Sequence, residues 1–156
     1  MHARDLIRCL LQCVHVLAGA AWLGAMLYSL FVVQPRAQRF FGLARPFEEF
    51  AAILAAGARW KVLTGCGLIA ATGIGLLFFL RTPMTDLARR LLMAKTFFFG
   101  LSIIIFCFIS WKLWPARLMA SPNEVPRFQK QFRTLAALLI LLVTLCFLSA
   151  IIGAHL

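Results

Sequence analysis

Leu135-Ala136-Ala137-Leu138-Leu139-Ile140-Leu141-Leu142-Val143-Thr144-Leu145-Cys146-Phe147-Leu148-Ser149-Ala150-Ile151-Ile152 runs without one charged side chain. A helix of about 20 apolar residues crosses a hydrocarbon core about 30 Å thick, and this stretch has that length. Three further apolar runs precede it, at residues 9–33, 62–80 and 96–111. The first is long enough to tilt, and the third reaches spanning length when Lys95 and Lys112 extend their heads to opposite interfaces. The 156-residue chain is 63% hydrophobic with a mean hydropathy of +0.92, well beyond the roughly 45–50% apolar content of soluble domains. The fold class read from this is all-α: an integral membrane protein forming an antiparallel four-helix transmembrane bundle. The helices are expected near residues 6–34, 50–81, 87–115 and 131–154.

The polar remainder is small. Connections at residues 34–61, 81–90 and 115–134 cannot each bury a core, so residues 1–156 read as a single domain with no soluble catalytic unit. The first apolar run exceeds the roughly 7–15 residues of a signal-peptide core and reads as a retained helix. The net charge of +11 raises nucleic acid as a partner, but the basic residues sit at helix ends, where they anchor lipid headgroups. The partner implied is the bilayer, with no nucleic acid. Ten of the sixteen Lys and Arg follow helices one and three, and six lie on the opposite side. The excess places residues 34–61 and 112–134 in the cytoplasm and both termini outside.

Several local patterns bear on packing. Gly67, Ala71 and Gly75 recur at four-residue steps, a register that lets backbones approach closely. It serves either the bundle itself or a second copy of the protein, and packing within the chain is the expectation. Residues 47–58 place Phe47, Phe50, Ile53, Leu54 and Ala58 toward one side, as an interfacial helix or as a cytoplasmic extension of the second span. Residues 121–127 carry turn chemistry and read as a loop. The five cysteines form no C-x-x-C pair, which argues against a zinc ribbon or thioredoxin-type site. Cys9 and Cys13 share a helix face, where they act as soft-metal ligands or simply as small apolar residues.

The chemistry centres on His15, inside the first span. An ionisable ring there is costly and calls for a partner, a ligand or a proton to handle. His15, Gly19, Trp22 and Met26 fall on one face of a helix, with Cys9 and Cys13 roughly opposite. Gly19 leaves space beside the imidazole for a flat cofactor or substrate. The bland alternative is a neutral histidine hydrogen-bonded to a serine, threonine or carbonyl of another helix. Lys95 is the natural companion, because helices one and three begin on the same membrane side and the two residues lie at similar depth. A carboxylate-bearing ligand such as a porphyrin would meet a nitrogen ligand and a cation there, whereas snorkelling to the interface is the default for a lysine near a helix end. His155, at the end of helix four, is the candidate second nitrogen ligand. For a metal the candidate set is His15, Met26 and His155.

The stretch His15-Val16-Leu17-Ala18-Gly19-Ala20-Ala21-Trp22-Leu23-Gly24-Ala25-Met26-Leu27-Tyr28, followed by Pro35-Arg36, resembles the first helix of the CopD-like copper resistance family. Leu91-Leu92-Met93-Ala94-Lys95 is similar to the start of that family's third helix. The related membrane-embedded bacterial protoporphyrinogen oxidases share the histidine, seven-residue step and tryptophan. The resemblance covers helices one to three. It implies a bacterial inner-membrane location, copper transport or delivery, or haem b binding through His15 with Lys95 nearby; Gly19 and Trp22, on the same helix face as His15, are the further candidate cofactor-binding positions. The chain departs from the oxidases in lacking a histidine shortly after Lys95, and it has no Met-rich or His-rich loop to capture copper. Three classes of function therefore stay open: copper handling, a haem-binding redox protein, and a structural subunit of a homo-oligomer or larger membrane complex.

Overall fold

A computed structural model describes residues 3–42, 44–79, 85–121 and 123–154. The described residues form helices and turns only. Helix α1 covers Ala3–Tyr28, passes through a π-helical turn at Ser29–Val33 and continues as the short α2, Gln34–Phe41. Gly42 ends α2 at φ +62°, a backbone region that costs a side-chain-bearing residue energy and glycine almost nothing. Helix α3 then runs back through Ala44–Leu77. Helix α4, Asp86–Phe108, starts at Thr85, whose hydroxyl accepts from the Ala88 N–H at 3.2 Å. A second π-helical turn at Ile109–Leu113 leads into α5, Trp114–Leu118, and α6, Val125–Ala154, returns.

Four of these continuous helical stretches are long and apolar enough to cross a membrane: Ala3–Phe41, Pro46–Leu77, Asp86–Leu118 and Val125–Gly153. Both sides of each helix are apolar. In α6, Val143 is 3% exposed while Leu141, two residues away, is 54% exposed. Water would not tolerate such a surface; hydrocarbon does. The inner face holds Trp22, Cys66, Ile69, Leu139 and Val143 in one cluster, joining α1, α3 and α6.

The chain is two similar hairpins. Each has a long helix, a π-helical turn, a short helix opening on proline, a turn and a long return helix. The two π-helical turns have matching causes. Pro35 and Pro115 have no N–H to offer a carbonyl four residues back, and their rings crowd it. The helix widens instead, so that the Gln34 N–H bonds to the Ser29 carbonyl and the Trp114 N–H to the Ile109 carbonyl. His15 and Lys95 stand 80 residues apart, and the same spacing relates Pro35 to Pro115 and the buried Cys66 to the buried Cys146.

Of the two readings of residues 47–58, the extension of the second span is the one observed: they are the first part of α3, and Phe47 is buried in the bundle. Two expectations need correction. Val125-Pro126-Arg127 is helical, since proline is tolerated in a first turn. Gly67 and Ala71 face outward, with nothing near the space a Gly67 side chain would fill, and only Gly75 meets α1, through Leu11. The face of α3 turned to α1 is instead set by Cys66, Ile69, Thr72 and Gly73.

Candidate functional site: a His15–Lys95 pair in the bundle

His15 projects from α1 between α3 and α4. Its Nδ1 lies 3.0 Å from the Ile69 carbonyl oxygen and 2.9 Å from Thr72 Oγ1. The Thr72 hydroxyl hydrogen is used within its own helix, donated to the Leu68 carbonyl at 2.7 Å. Its oxygen is therefore free to accept, and both neighbours of Nδ1 are acceptors, which assigns the ring proton to Nδ1. Nε2 is left with a lone pair, and Lys95 Nζ donates to it from 3.3 Å. Gly73 makes this seat possible. A Cβ there would stand 3.2 Å from His15 Cε1, so a side chain on Gly73 would push the ring off its acceptors.

Lys95 does not snorkel. Its ammonium turns inward from α4 to His15, and its backbone carbonyl accepts from Cys146 Sγ of α6 at 3.5 Å. One polar junction thus ties α1, α3 and α4, with α6 anchored behind the lysine. The expected companionship of His15 and Lys95 is what the helices bring about. The expected space beside Gly19 is not there: a Cβ on Gly19 would lie 3.1 Å from the Phe147 ring of α6.

The other sequence candidates sit elsewhere. Trp22 is 7% exposed and packs edge-on against Phe99, ring centroids 6.1 Å apart. Met26 lines a cavity of about 230 Å³ that lies on the far side of Trp22 from His15. His15 and Met26 are eleven residues apart on one helix, roughly 16 Å at 1.5 Å per residue, so they cannot share a metal. Cys9 and Cys13 are exposed on the outer face. His155 lies outside the described residues. Among the described residues no three His, Cys, Asp or Glu side chains come together as a metal site.

A second buried polar cluster went unread in the sequence. Arg117, 5% exposed, donates through Nε to Glu48 Oε2 at 2.6 Å and through Nη2 to Oε1 at 2.7 Å. Gln129 Nε2 adds a bond to Oε1 at 2.9 Å. The guanidinium lies over Trp114, Phe132 and Phe47, 5.0, 5.5 and 5.9 Å from their ring centres. In the sequence Arg117, after Trp114-Pro115, reads as a headgroup anchor, and Glu48 falls outside the apolar stripe of residues 47–58, so helical periodicity gives no sign of the pair.

No protein-family model, curated protein or solved structure compared with the chain matches it.

Proposed function

We propose that the protein is a multi-pass protein of the bacterial inner membrane, akin to the CopD-like group and its protoporphyrinogen-oxidase relatives, and that His15 and Lys95 bind a carboxylate-bearing tetrapyrrole. The observation that carries this reading is the Lys95 ammonium, which donates to His15 Nε2 at 3.3 Å and has no carboxylate beside it among the described contacts. A cation in that place repels a second bare cation such as a copper ion and attracts a carboxylate, and in a site screened from water that preference is strong. The donor chemistry fits haem b. With Nδ1–H held by a backbone carbonyl, Nε2 would be the coordinating nitrogen once Lys95 turns from it to the ligand's carboxylate, the usual arrangement for a metal-bound histidine. A lysine ammonium matches a propionate. Haem, when bound, supplies one-electron redox chemistry. The chain's own part is narrower: Ile69 and Thr72 fix the ring, Gly73 gives it room, and Lys95 holds the acid group. With Phe147 against Gly19, the ligand is not accommodated on that face of α1.

The test is an absorption spectrum of the purified full-length protein, as isolated and after addition of haem. A Soret band is expected, lost in His15→Ala and weakened about ten- to a hundredfold in affinity in Lys95→Ala, since a charge-assisted hydrogen bond contributes about 1.5–3 kcal/mol. Wild type without a band, or His15→Ala with an undiminished one, would end the haem reading. Stoichiometric copper in the wild type that disappears from His15→Ala would replace it with copper handling.

The charge excess supports an orientation with both termini outside. Reporter fusions at Gly42 and Asn123 should both report cytoplasm, and a fusion after Leu156 the opposite side. The reverse pattern would mean that Arg89 and Arg90 set the topology.

A further inference from the structure

The cavity beyond Trp22 is bounded by all four long helices, and its walls are mostly apolar, with Ser29, Gln34, Ser110, Arg59 and Arg117 as the polar side chains of the lining. Two of its lining residues carry a buried nitrogen donor without any acceptor: Trp22 Nε1 and Arg59 Nε. Buried donors are nearly always satisfied, because a missing partner costs about 1–3 kcal/mol. Trp22 is more than nine-tenths buried, so bulk water does not reach it. Arg59 is held at the cavity by stacking, its guanidinium 5.2 Å from the Trp111 ring centre. At the loop end Arg117, Phe47, Trp114 and Phe132 form part of the wall.

The size is informative. An enclosed apolar protein cavity of about 150 Å³ takes up benzene; this one, partly open at the bundle surface, has about 230 Å³. It holds more than one aromatic ring or a bent alkyl segment. A ligand that satisfied the site would be apolar over most of its body and would present oxygen acceptors to the two donors.

We propose that this cavity binds a lipid-soluble molecule with an apolar body and hydrogen-bond-accepting oxygens, recognised by Trp22 Nε1–H and Arg59 Nε–H. A quinone supplies such oxygens as ring carbonyls, and a fatty acid supplies them as a carboxylate. The site lies roughly 10 Å along α1 from His15 by helix rise and does not depend on what the His15–Lys95 pair binds.

Purified full-length protein in detergent, titrated separately with decylubiquinone and with dodecanoate and followed by calorimetry, tests it. Saturable binding of at least one probe with one-to-one stoichiometry is expected. Trp22→Phe keeps the ring and removes the N–H, and should weaken binding about five- to tenfold. Ala136→Phe, which fills the cavity from α6, should abolish it, with helix content by circular dichroism unchanged in both variants. Binding of decylubiquinone alone identifies the carbonyl as the recognised group. Binding of dodecanoate alone, lost in Arg59→Gln, identifies the carboxylate. The proposal is overturned if neither probe saturates, or if the Phe variants bind as the wild type does.

Discussion

The two buried polar clusters, one toward each end of the bundle, solve the same problem in opposite ways. At the loop end, Arg117 meets Glu48 in a two-point ion pair, Gln129 completes the carboxylate, and aromatic faces cover the guanidinium. Charge is cancelled, and the hydrogen bonds are internal. Toward the terminal end, Lys95 has only a neutral imidazole as its side-chain partner, and a positive charge is left without a counter-ion among the described contacts. A balanced cluster is what structure needs. An unbalanced one, maintained inside an apolar bundle, is what a ligand or proton site needs, because the missing negative charge has to come from elsewhere.

The contrast breaks most readily at Arg117. Arg117→Ala leaves the Glu48 carboxylate buried without its cation, which costs about 3–5 kcal/mol; a severe drop in detergent melting temperature and folded yield is expected. Arg117→Lys should recover little of it, because a lysine cannot reproduce the planar fork. Lys95→Met should change stability by no more than about 1 kcal/mol, because the lost hydrogen bond is offset by removing a charge from an apolar setting. Equal losses from Arg117→Ala and Lys95→Met would erase the distinction between the two clusters.

Two glycines of α3 sharpen it further. Gly73→Ala pushes against His15 Cε1 and should cost about 1–3 kcal/mol as overpacking, with weaker ligand binding at His15. Gly67→Ala meets nothing and should be neutral or slightly stabilising through helix propensity, by up to about 1 kcal/mol. The same melting curves decide both.

The smallest effect concerns the turn before α6, where the Ser121 hydroxyl and N–H both donate to Glu124. These bonds hold the Glu124 carboxyl below the usual carboxylate range. A depressed folded value means the contribution is present at neutral pH and is lost as pH falls through that range. Glu124→Gln should therefore melt slightly below wild type at pH 7 and coincide with it in acid; a difference that grew on acidification would have the wrong sign.

How much of this was legible follows from what each feature depends on. The four spans could be read because the hydropathy of residues 135–152 and its counterparts is a property of the local sequence. The pairing of His15 with Lys95 could be read from depth alone, since helix rise fixes depth. The seat of the imidazole could not: Thr72 and Gly73 lie one and two residues off the Gly67, Ala71 and Gly75 register, and only the rotation of α3 about its axis decides which set faces α1. The Arg117–Glu48 pair was hidden for a similar reason. Its partners are 69 residues apart, and a basic residue near a helix end has the same sequence signature whether it reaches for a headgroup or turns inward. The π-helical turns were the opposite case, announced by two prolines inside helical patterns and missed because helices are expected to stop there.

The hairpin repeat gives the His15–Lys95 contact one more meaning. Positions 15 and 95 are equivalent in the two hairpins, yet they face each other, so they lie close to the axis relating the halves. In an assembly of two identical hairpins, whatever side chain stood there would confront its own copy. Two lysines would repel; two neutral histidines, each with one hydrogen to give, would be held by nothing stronger than an uncharged bond. Only when the two hairpins differ in sequence, as they do within this chain, can one position specialise as donor and the other as acceptor, and that difference is what makes the junction a candidate for chemistry.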